Sequence, residues 1–328
     1  MNQKFDVVLI GTEKNRYDYL GSRTFHVKSV LQKNFPDLKI GVYDVYAPDG
    51  ERLVPHDCAK NILFLPWCET LDPGWCDFMM NVSGLCRKIL YTDNFYWFQT
   101  QKNRLLHDGF NPENIFDYIF FSSREHSGWW NEREYCYLGT CIYNDLFKDI
   151  DFESKKRKEK TLFVDTPWTL DMAQEPFNAI RVLDECIPQI KIKYPELIVV
   201  SQNCDREWVD INLEKQIPLE TMINDHYCAA DAYIVSHKET CGIAQFEAKM
   251  CGTKLVTTKN FSNNSALLSG TFTQELWSFE EGNQSFVKAV ENCLKDYDKE
   301  EVRFLSAQAY DDKIFADQLY KYLWNVNP

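Results

Sequence analysis

Two glutamates stand out in one segment of the sequence, residues 232–258, which reads AYIVSHKETCGIAQFEAKMCGTKLVTT. Glu239 and Glu247 are eight residues apart, a little over two helical turns, which is too wide for two carboxylates that share one proton. The spacing suits two separate anchors on a long ligand, because each carboxylate can accept hydrogen bonds from a vicinal diol. The segment therefore predicts a ligand with hydroxyl groups at both ends.

A helix is expected to begin between these glutamates, near Gly242, after a polar loop. Free N–H groups and partial positive charge at a helix start bind anions, and glycine allows a ligand to approach the backbone. His237 and Lys238 add positive charge to a chain whose formal net charge is −13. A nucleotide sugar contains a ribose diol, a diphosphate anion and a second diol on the sugar. The segment therefore predicts a nucleotide-diphosphate sugar as its ligand.

The elements that position this segment alternate between β-rich and helical stretches. In the first half, five near-continuous apolar runs predict strands of a parallel sheet that is covered on both faces. These runs are VVLIG at 7–11, IGVYDVY at 40–46, ILFLPW at 62–67, KILYTD at 88–93 and YIFFSS at 118–123. Residues 22–33 predict a helix with Ser22 as its N-cap after Gly21. Its expected inner face is Phe25, Val27, Ser29, Val30 and Leu31.

The alternation restarts after a basic run, KKRKEK at 155–160. Strands are predicted at 161–165, 195–201, 232–236 and 254–258, and helices at 172–193, near 219–230, from about 242 and at 299–324. This pattern predicts two doubly wound α/β domains, residues 1–150 and 151–328. The last helix is expected to be able to pack back on the first domain.

The central segment resembles a known family. Glu239-Thr240-Cys241-Gly242, Glu247-Ala248 and Cys251-Gly252-Thr253 resemble the E-x7-E signature of retaining GT-B glycosyltransferases. The similarity is to the large family-four-like group that includes bacterial lipopolysaccharide and phosphatidylinositol mannosyl enzymes. It implies a GT-B fold, in which two Rossmann-like domains face each other across a cleft, and a nucleotide-sugar-dependent, hexosyltransferase-like activity. Residues 1–150 would then form the acceptor side and residues 151–328 the donor side.

The resemblance also implies roles for individual residues of the segment. In that family the first glutamate contacts the donor sugar and the second contacts the ribose, which assigns these roles to Glu239 and Glu247. The stretch Thr240, Cys241, Gly242 and Ile243 would hold the diphosphate through its backbone amides.

The phosphate-binding cations differ from the family pattern. The family places an arginine and a lysine after the first strand of its second domain, whereas this sequence has DTPWT at 165–169 and no basic residue before Arg181. His237, Lys238 or Arg23 is therefore expected to hold the phosphates. Arg23 lies in Gly21-Ser22-Arg23-Thr24, which is similar to the family's small-residue loop against the donor phosphate and the acceptor.

The resemblance further implies a retaining, metal-independent reaction without a cofactor, and UDP or GDP is the expected nucleotide. The protein would contribute positioning and electrostatic stabilisation of the leaving diphosphate. Asp93, at the end of the strand 88–93, is the candidate for orienting or deprotonating the acceptor hydroxyl. His126, after the next strand, is a second candidate.

The acceptor is left open between a glycan, a small molecule and DNA. A divergent phage-type branch of GT-B enzymes glycosylates hydroxymethylated DNA bases; the net negative charge opposes this reading, and the basic pieces at 102–104 and 155–160 favour it. A catalytically inactive GT-B-like module that binds nucleotide sugars or a partner is the other alternative. The sequence shows no signal peptide and no long apolar run, so we expect a cytoplasmic protein without stable membrane insertion and with free thiols.

Overall fold

The computed structural model describes residues 5–12, 19–47, 59–65, 72–81, 86–92, 102–121, 136–166, 179–202, 204–214, 217–237, 243–259 and 273–324. These residues divide into two compact units. The first contains the described residues up to Tyr143 and those from Asp311 onwards, and the second contains those between Asn144 and Tyr310.

The first unit is built on a parallel sheet. Its strands are β1 Phe5–Gly11, β2 Ile40–Asp44, β3 Ala59–Phe64, β4 Arg87–Thr92, β5 Tyr118–Phe121 and β6 Cys136–Tyr137. Their order is β2-β1-β3-β4-β5-β6, and every pair is parallel. Val8 and Ile10 of β1 belong to the core on one face of the sheet, whereas Val7 and Leu9 belong to the core on the other. The apolar runs are therefore covered on both faces, as predicted.

The helices of the first unit are α1 Tyr19–Asn34, α2 Pro73–Asn81, a helical segment at 102–107, α3 Pro112–Ile115 and, near the end of the chain, α10 Asp312–Trp324. The start predicted for α1 was wrong: the helix begins at Tyr19, so Ser22 lies inside it and is not its N-cap. Phe25 is 38% exposed and does not belong to the inner face, whereas Val27, Val30 and Leu31 are fully buried there.

The second unit contains another parallel sheet. Its strands are β7 Thr161–Asp165, β8 Ile198–Gln202, β9 Ile211–Leu213, β10 Ala232–Val235, β11 Lys254–Thr258 and β12 Gln274–Trp277. Their order is β12-β11-β10-β7-β8-β9, with every pair parallel. Numbered from β7, this is the 3-2-1-4-5-6 order of a Rossmann domain. The predicted α/β class with two doubly wound sheets is confirmed.

The helices of the second unit are a 3-10 turn at Asn144–Phe147, α4 Phe152–Lys155, α5 Ile180–Lys193, α6 Leu219–Thr221, a π-helix at Met222–Tyr227, α7 Ile243–Met250, α8 Asn283–Cys293 and α9 Lys299–Ala309. Leu183 of α5 and Phe286 of α8 pack against Val256 and Trp277 on one face of the sheet. Helix α7 contacts the segment after α9, where the rings of Phe246 and Tyr310 meet edge to face at 4.7 Å.

The single helix predicted over 299–324 was wrong. It is broken after α9, where Tyr310 leaves the helical conformation with φ −120° and ψ 61°. Asp311 then accepts hydrogen bonds from the backbone N–H groups of Lys313 and Ile314, at 2.8 and 3.3 Å, and so begins α10. The two halves belong to different units. None of the helices that the structure describes is both long and apolar enough to span a membrane.

Candidate functional site

The strand order of the second sheet reverses between β7 and β10, and doubly wound sheets bind ligands beyond the carboxyl ends of the strands at such a point. Asp165 ends β7, and its Oδ2 accepts a hydrogen bond from the Tyr233 hydroxyl at 2.7 Å. The Ser236 hydroxyl, directly after β10, donates to the carbonyl of Asp165. The Ser236 carbonyl accepts from the backbone N–H of Ala179 at 2.6 Å. These bonds join the two strand ends and the start of α5.

The neighbouring strand β8 ends in the same polar network. The Ser201 hydroxyl donates to the carbonyl of Val164 at 2.7 Å, and the Thr166 hydroxyl donates to the carbonyl of Gln202 at 3.2 Å. Sequence reasoning did not assign Asp165, Tyr233, Ser201 or Ser236 to the site. For Asp165, Ser201 and Ser236 the position at the end of a predicted strand was the signal, whereas Tyr233 is the second residue of β10 and had none.

Helix α7 follows β10 at this edge and carries one predicted ligand residue, Glu247, which is fully buried. Ile243, at the start of the helix, is also buried, and His237 is 7% exposed two residues after β10. Lys238, Glu239, Thr240, Cys241 and Gly242 lie outside the described residues. His237 therefore lies just beyond the carboxyl end of β10, and Ile243 and Glu247 lie on the helix that follows it.

Helix α7 buries three polar side chains within eight residues. Gln245 and Glu247 are fully buried, and Lys249 is 1% exposed. Burial lowers the pKa of the Lys249 ammonium from 10.5 to about 8. Charged side chains are seldom fully buried, so the composition of this helix is unusual for one that packs in a core.

In the first unit, α1 begins beside the end of β1. The Thr24 hydroxyl donates to the carbonyl of Leu20 at 2.6 Å and accepts from the backbone N–H of Thr12 at 3.2 Å. A side chain on Gly11 would collide with that hydroxyl, so only glycine permits this close approach. The predicted residues Gly21, Ser22 and Arg23 lie in the first turns of α1, next to this contact.

The Arg23 side chain is hydrogen-bonded to β4 near the carboxyl end of that strand. It is 4% exposed, and its guanidinium donates to the carbonyl of Tyr91 at 2.7 Å. It also lies over the Tyr91 ring, 4.1 Å from the ring centre, and the Tyr91 hydroxyl donates to the carbonyl of Gly139 at 2.5 Å. Asp93 follows two residues later and, like His126, lies outside the described residues.

The basic run at 155–160 lies at the edge of the second sheet that is formed by the amino ends of the strands, opposite the switch point. Lys160 forms ion pairs with Asp231 at 3.5 Å and with Asp296 at 2.9 Å, and Arg157 donates to the carbonyl of Asp225 at 3.3 Å. A cavity of about 620 Å³ lies beside these pairs, at the amino ends of β7 and β10. This part of the basic sequence is therefore remote from the switch point.

Among the described residues, no group of three or more His, Cys, Asp or Glu side chains is arranged to hold a metal ion.

Comparison with known proteins places the fold. No protein-family model matches the sequence, and no curated protein does. The structure of HepE from Anabaena, in complex with UDP and glucose, is similar with a TM-score of 0.63 and 11% identity, over 98% of this chain and 100% of that one. Sucrose-phosphate synthase from Thermosynechococcus elongatus gives a TM-score of 0.64 and 13% identity, over 98% and 100%.

An alpha-glucosyltransferase in complex with UDP-glucose and DNA containing an abasic site gives a TM-score of 0.59 and 10% identity, over 99% of this chain and 100% of that one. At such identities the similarity shows the fold alone. That fold is the GT-B type with two Rossmann-like domains, as the sequence predicted.

Proposed function

We propose that the protein is a glycosyltransferase that moves a sugar from a nucleotide-diphosphate sugar to an acceptor hydroxyl. The observation that carries this proposal is Glu247, a fully buried carboxylate on the helix that follows the switch-point strand β10. A carboxylate accepts hydrogen bonds from hydroxyl groups, and the ribose of a nucleotide sugar offers two adjacent hydroxyls.

The donor is proposed to lie along the start of α7. Glu247 would accept from the ribose and Glu239 from the sugar, while Thr240 and the backbone amides of Cys241, Gly242 and Ile243 hold the diphosphate. His237, Lys238 and Arg23, with Gly21 and Ser22 beside Arg23, would supply charge and close backbone contact. UDP is the proposed nucleotide, because HepE was solved with UDP and the alpha-glucosyltransferase with UDP-glucose.

The proposed reaction retains the anomeric configuration and needs no metal. The acceptor hydroxyl attacks on the face from which the diphosphate departs, so the protein contributes positioning and stabilisation of the leaving group. Asp93 orients or deprotonates the acceptor hydroxyl. Arg23 supports this role, because its bond to the Tyr91 carbonyl holds the strand end from which Asp93 follows.

Thermal unfolding with UDP-, GDP-, ADP- and CMP-linked sugars tests the donor site. At about 100 times its Kd, a true donor should add roughly 2.7 kcal/mol to the unfolding free energy of the wild type. Glu247→Gln should lose this gain, whereas Glu301→Gln, a change at an exposed residue of α9, should keep it. The donor proposal fails if no nucleotide sugar stabilises the wild type, or if Glu247→Gln responds as the wild type does.

A hydroxymethylated base in DNA is the second candidate acceptor, because of the similarity to the alpha-glucosyltransferase that was solved with DNA. Lys160 and Arg157 of the run at 155–160 are engaged within the protein, which argues against contact with DNA through these two side chains. Transfer from the stabilising donor to duplex DNA with hydroxymethylated bases, but not to unmodified DNA, would establish this acceptor. The affinity for DNA should then fall steeply as the salt concentration rises.

An inactive binding module is the remaining alternative. It would be favoured if the protein binds the donor but releases no nucleotide with any glycan or DNA acceptor.

A further inference from the structure

A carboxylate stands at the point where the strand order of the second sheet reverses. Asp165 ends β7 and pairs in register with Val235, the last residue of β10. The residue is partly exposed, so a ligand in solution can reach it. Doubly wound sheets bind their ligands in the crevice beyond these strand ends, which makes Asp165 a candidate to contact one.

The carboxylate lies on the side of the sheet that carries α7. Successive side chains of a strand point to opposite faces, and Val164 and Ile234 belong to the core packed by α5 and α8. Asp165 and Tyr233, each next to one of these residues, therefore belong to the other face. Parallel crossovers are right-handed, and the step from β10 to β11 runs in the opposite direction to the step from β7 to β8 that α5 makes. Helix α7 therefore lies on the same face as the carboxylate.

Two neighbours fix the position of this carboxylate. The Tyr233 hydroxyl donates to Oδ2 of Asp165 at 2.7 Å, and the Ser236 hydroxyl donates to the backbone carbonyl of Asp165. Tyr233 is itself held in place, because it is 1% exposed and its ring is stacked on that of Phe163 at 5.3 Å. The same ring meets that of Tyr227 edge to face at 5.6 Å. A packed aromatic side chain thus holds one oxygen of the carboxylate in a defined place.

A carboxylate at this edge distinguishes between the two forms of a nucleotide donor. It only accepts hydrogen bonds, so the hydroxyl groups of a sugar can donate to it, whereas phosphate oxygens repel it. Once the sugar has been transferred, the remaining nucleotide ends in a terminal phosphate, which takes on a further negative charge near neutral pH. The same position therefore favours the intact nucleotide sugar and disfavours the free nucleotide.

We propose that Asp165 is a specificity-determining residue of the donor site, which accepts a hydrogen bond from a hydroxyl of the donor sugar and repels the free nucleotide diphosphate. Tyr233 is its positioning residue. This role rests on the proposed function, in which the nucleotide sugar lies along the start of α7. A residue of the neighbouring strand thereby joins the donor site, and its charge helps the nucleotide to leave after transfer.

Isothermal titration calorimetry with UDP and UDP-glucose tests this role on the full-length protein. The wild type should bind UDP-glucose more tightly than UDP. Asp165→Asn should lower the ratio of the UDP to the UDP-glucose dissociation constant about tenfold, because it removes both the charged acceptor and the repulsion. Tyr233→Phe keeps the carboxylate but no longer fixes it, and should lower the ratio less. Asp231→Asn, at the amino ends of the same two strands, is the matched control and should leave the ratio unchanged.

The ratio separates a binding role from a structural one, since a variant that only loosens the fold weakens the binding of both ligands alike. A wild type that binds UDP more tightly than UDP-glucose overturns the role of Asp165, whether or not the variants fold. An unchanged ratio in Asp165→Asn overturns it too. If the wild type binds neither ligand, the proposed UDP-sugar donor fails, and the role of Asp165 fails with it.

Discussion

Lys249 places an ammonium group in the interior of the second unit, and its removal provides a quantitative test of how α7 is buried. The side chain is 1% exposed, and burial lowers its pKa from 10.5 to about 8. That difference corresponds to about 3 kcal/mol of unfolding free energy that the buried charge removes near neutral pH.

The sign follows from the two protonation states. Below pH 8 the lysine is charged in the folded and unfolded chains, so the full cost of burying the charge is present. Between pH 8 and 10.5 the unfolded chain holds a proton that the folded chain has released, so the contribution of Lys249 to stability improves as pH rises. Above 10.5 both states are neutral, and the cost disappears.

Lys249→Met keeps much of the side-chain length without the charge. Urea unfolding should find this variant more stable than the wild type by up to about 3 kcal/mol at pH 7, with the difference shrinking towards zero near pH 10.5. Because variant and wild type are compared at each pH, the contributions of other titrating groups to the unfolding free energy cancel. One such group is the buried thiol of Cys186, whose pKa is raised to about 11 and which reduces stability above pH 9. Lys288→Met, at an exposed position of α8, is the matched control and should change little.

A variant no more stable than the wild type, or a gain that stays constant from pH 7 to pH 10.5, would refute this reasoning. Either result would mean that burial disfavours the charged form of Lys249 less than the lowered pKa indicates, and that α7 is less buried than the structure has it.

Two further substitutions test contacts that hold the site. Gly252→Ala should reduce the unfolding free energy by about 2–3 kcal/mol, because Gly252 has φ 72° and an added Cβ would lie 2.6 Å from the carbonyl oxygen of Lys299. Gly109→Ala, at φ 88° with no atom near the added carbon, should cost only about 1 kcal/mol, and equal losses in urea unfolding would argue against the collision. Arg23→Lys should reduce the unfolding free energy by about 2 kcal/mol, because lysine cannot both donate to the Tyr91 carbonyl and stack on the ring. If this variant unfolds at the same urea concentration as the wild type, the contact is not stabilising.

The strands were predictable because apolar runs such as the one in β10 carry their own signal, and parallel sheets bury both faces of a strand. The end of α9 was not predictable, because apolar residues at helical spacing continue beyond it in the sequence. At that end Tyr310 packs against Phe246, a contact between residues distant in sequence. Ser22 shows the same limit locally, since a good N-cap residue does not begin a helix whose first turn already starts at Tyr19.

The candidate site was only partly predictable for a related reason. The sequence assigns His237, Ile243 and Glu247 to the candidate site from one contiguous motif. The bonds of Tyr233 and Ser236 to Asp165 join strands that are about 70 residues apart in sequence. Spacing along one strand does not show which neighbouring strand a hydroxyl group will reach, so these residues can be assigned only once the strand order is known.

The contacts of α7 explain how a helix with three buried polar side chains is kept in place. Its carboxyl end is held against the π-helix: the Thr253 hydroxyl donates to the carbonyl of Tyr227 at 2.6 Å, and Lys299 donates to the carbonyls of Cys228 and Ala230. Free carbonyls at a helix end are stabilised by such donors, so the last turns of both helices are fixed together. The carboxyl end of α7 is therefore anchored to the neighbouring helical segment by side-chain donors rather than by apolar packing alone.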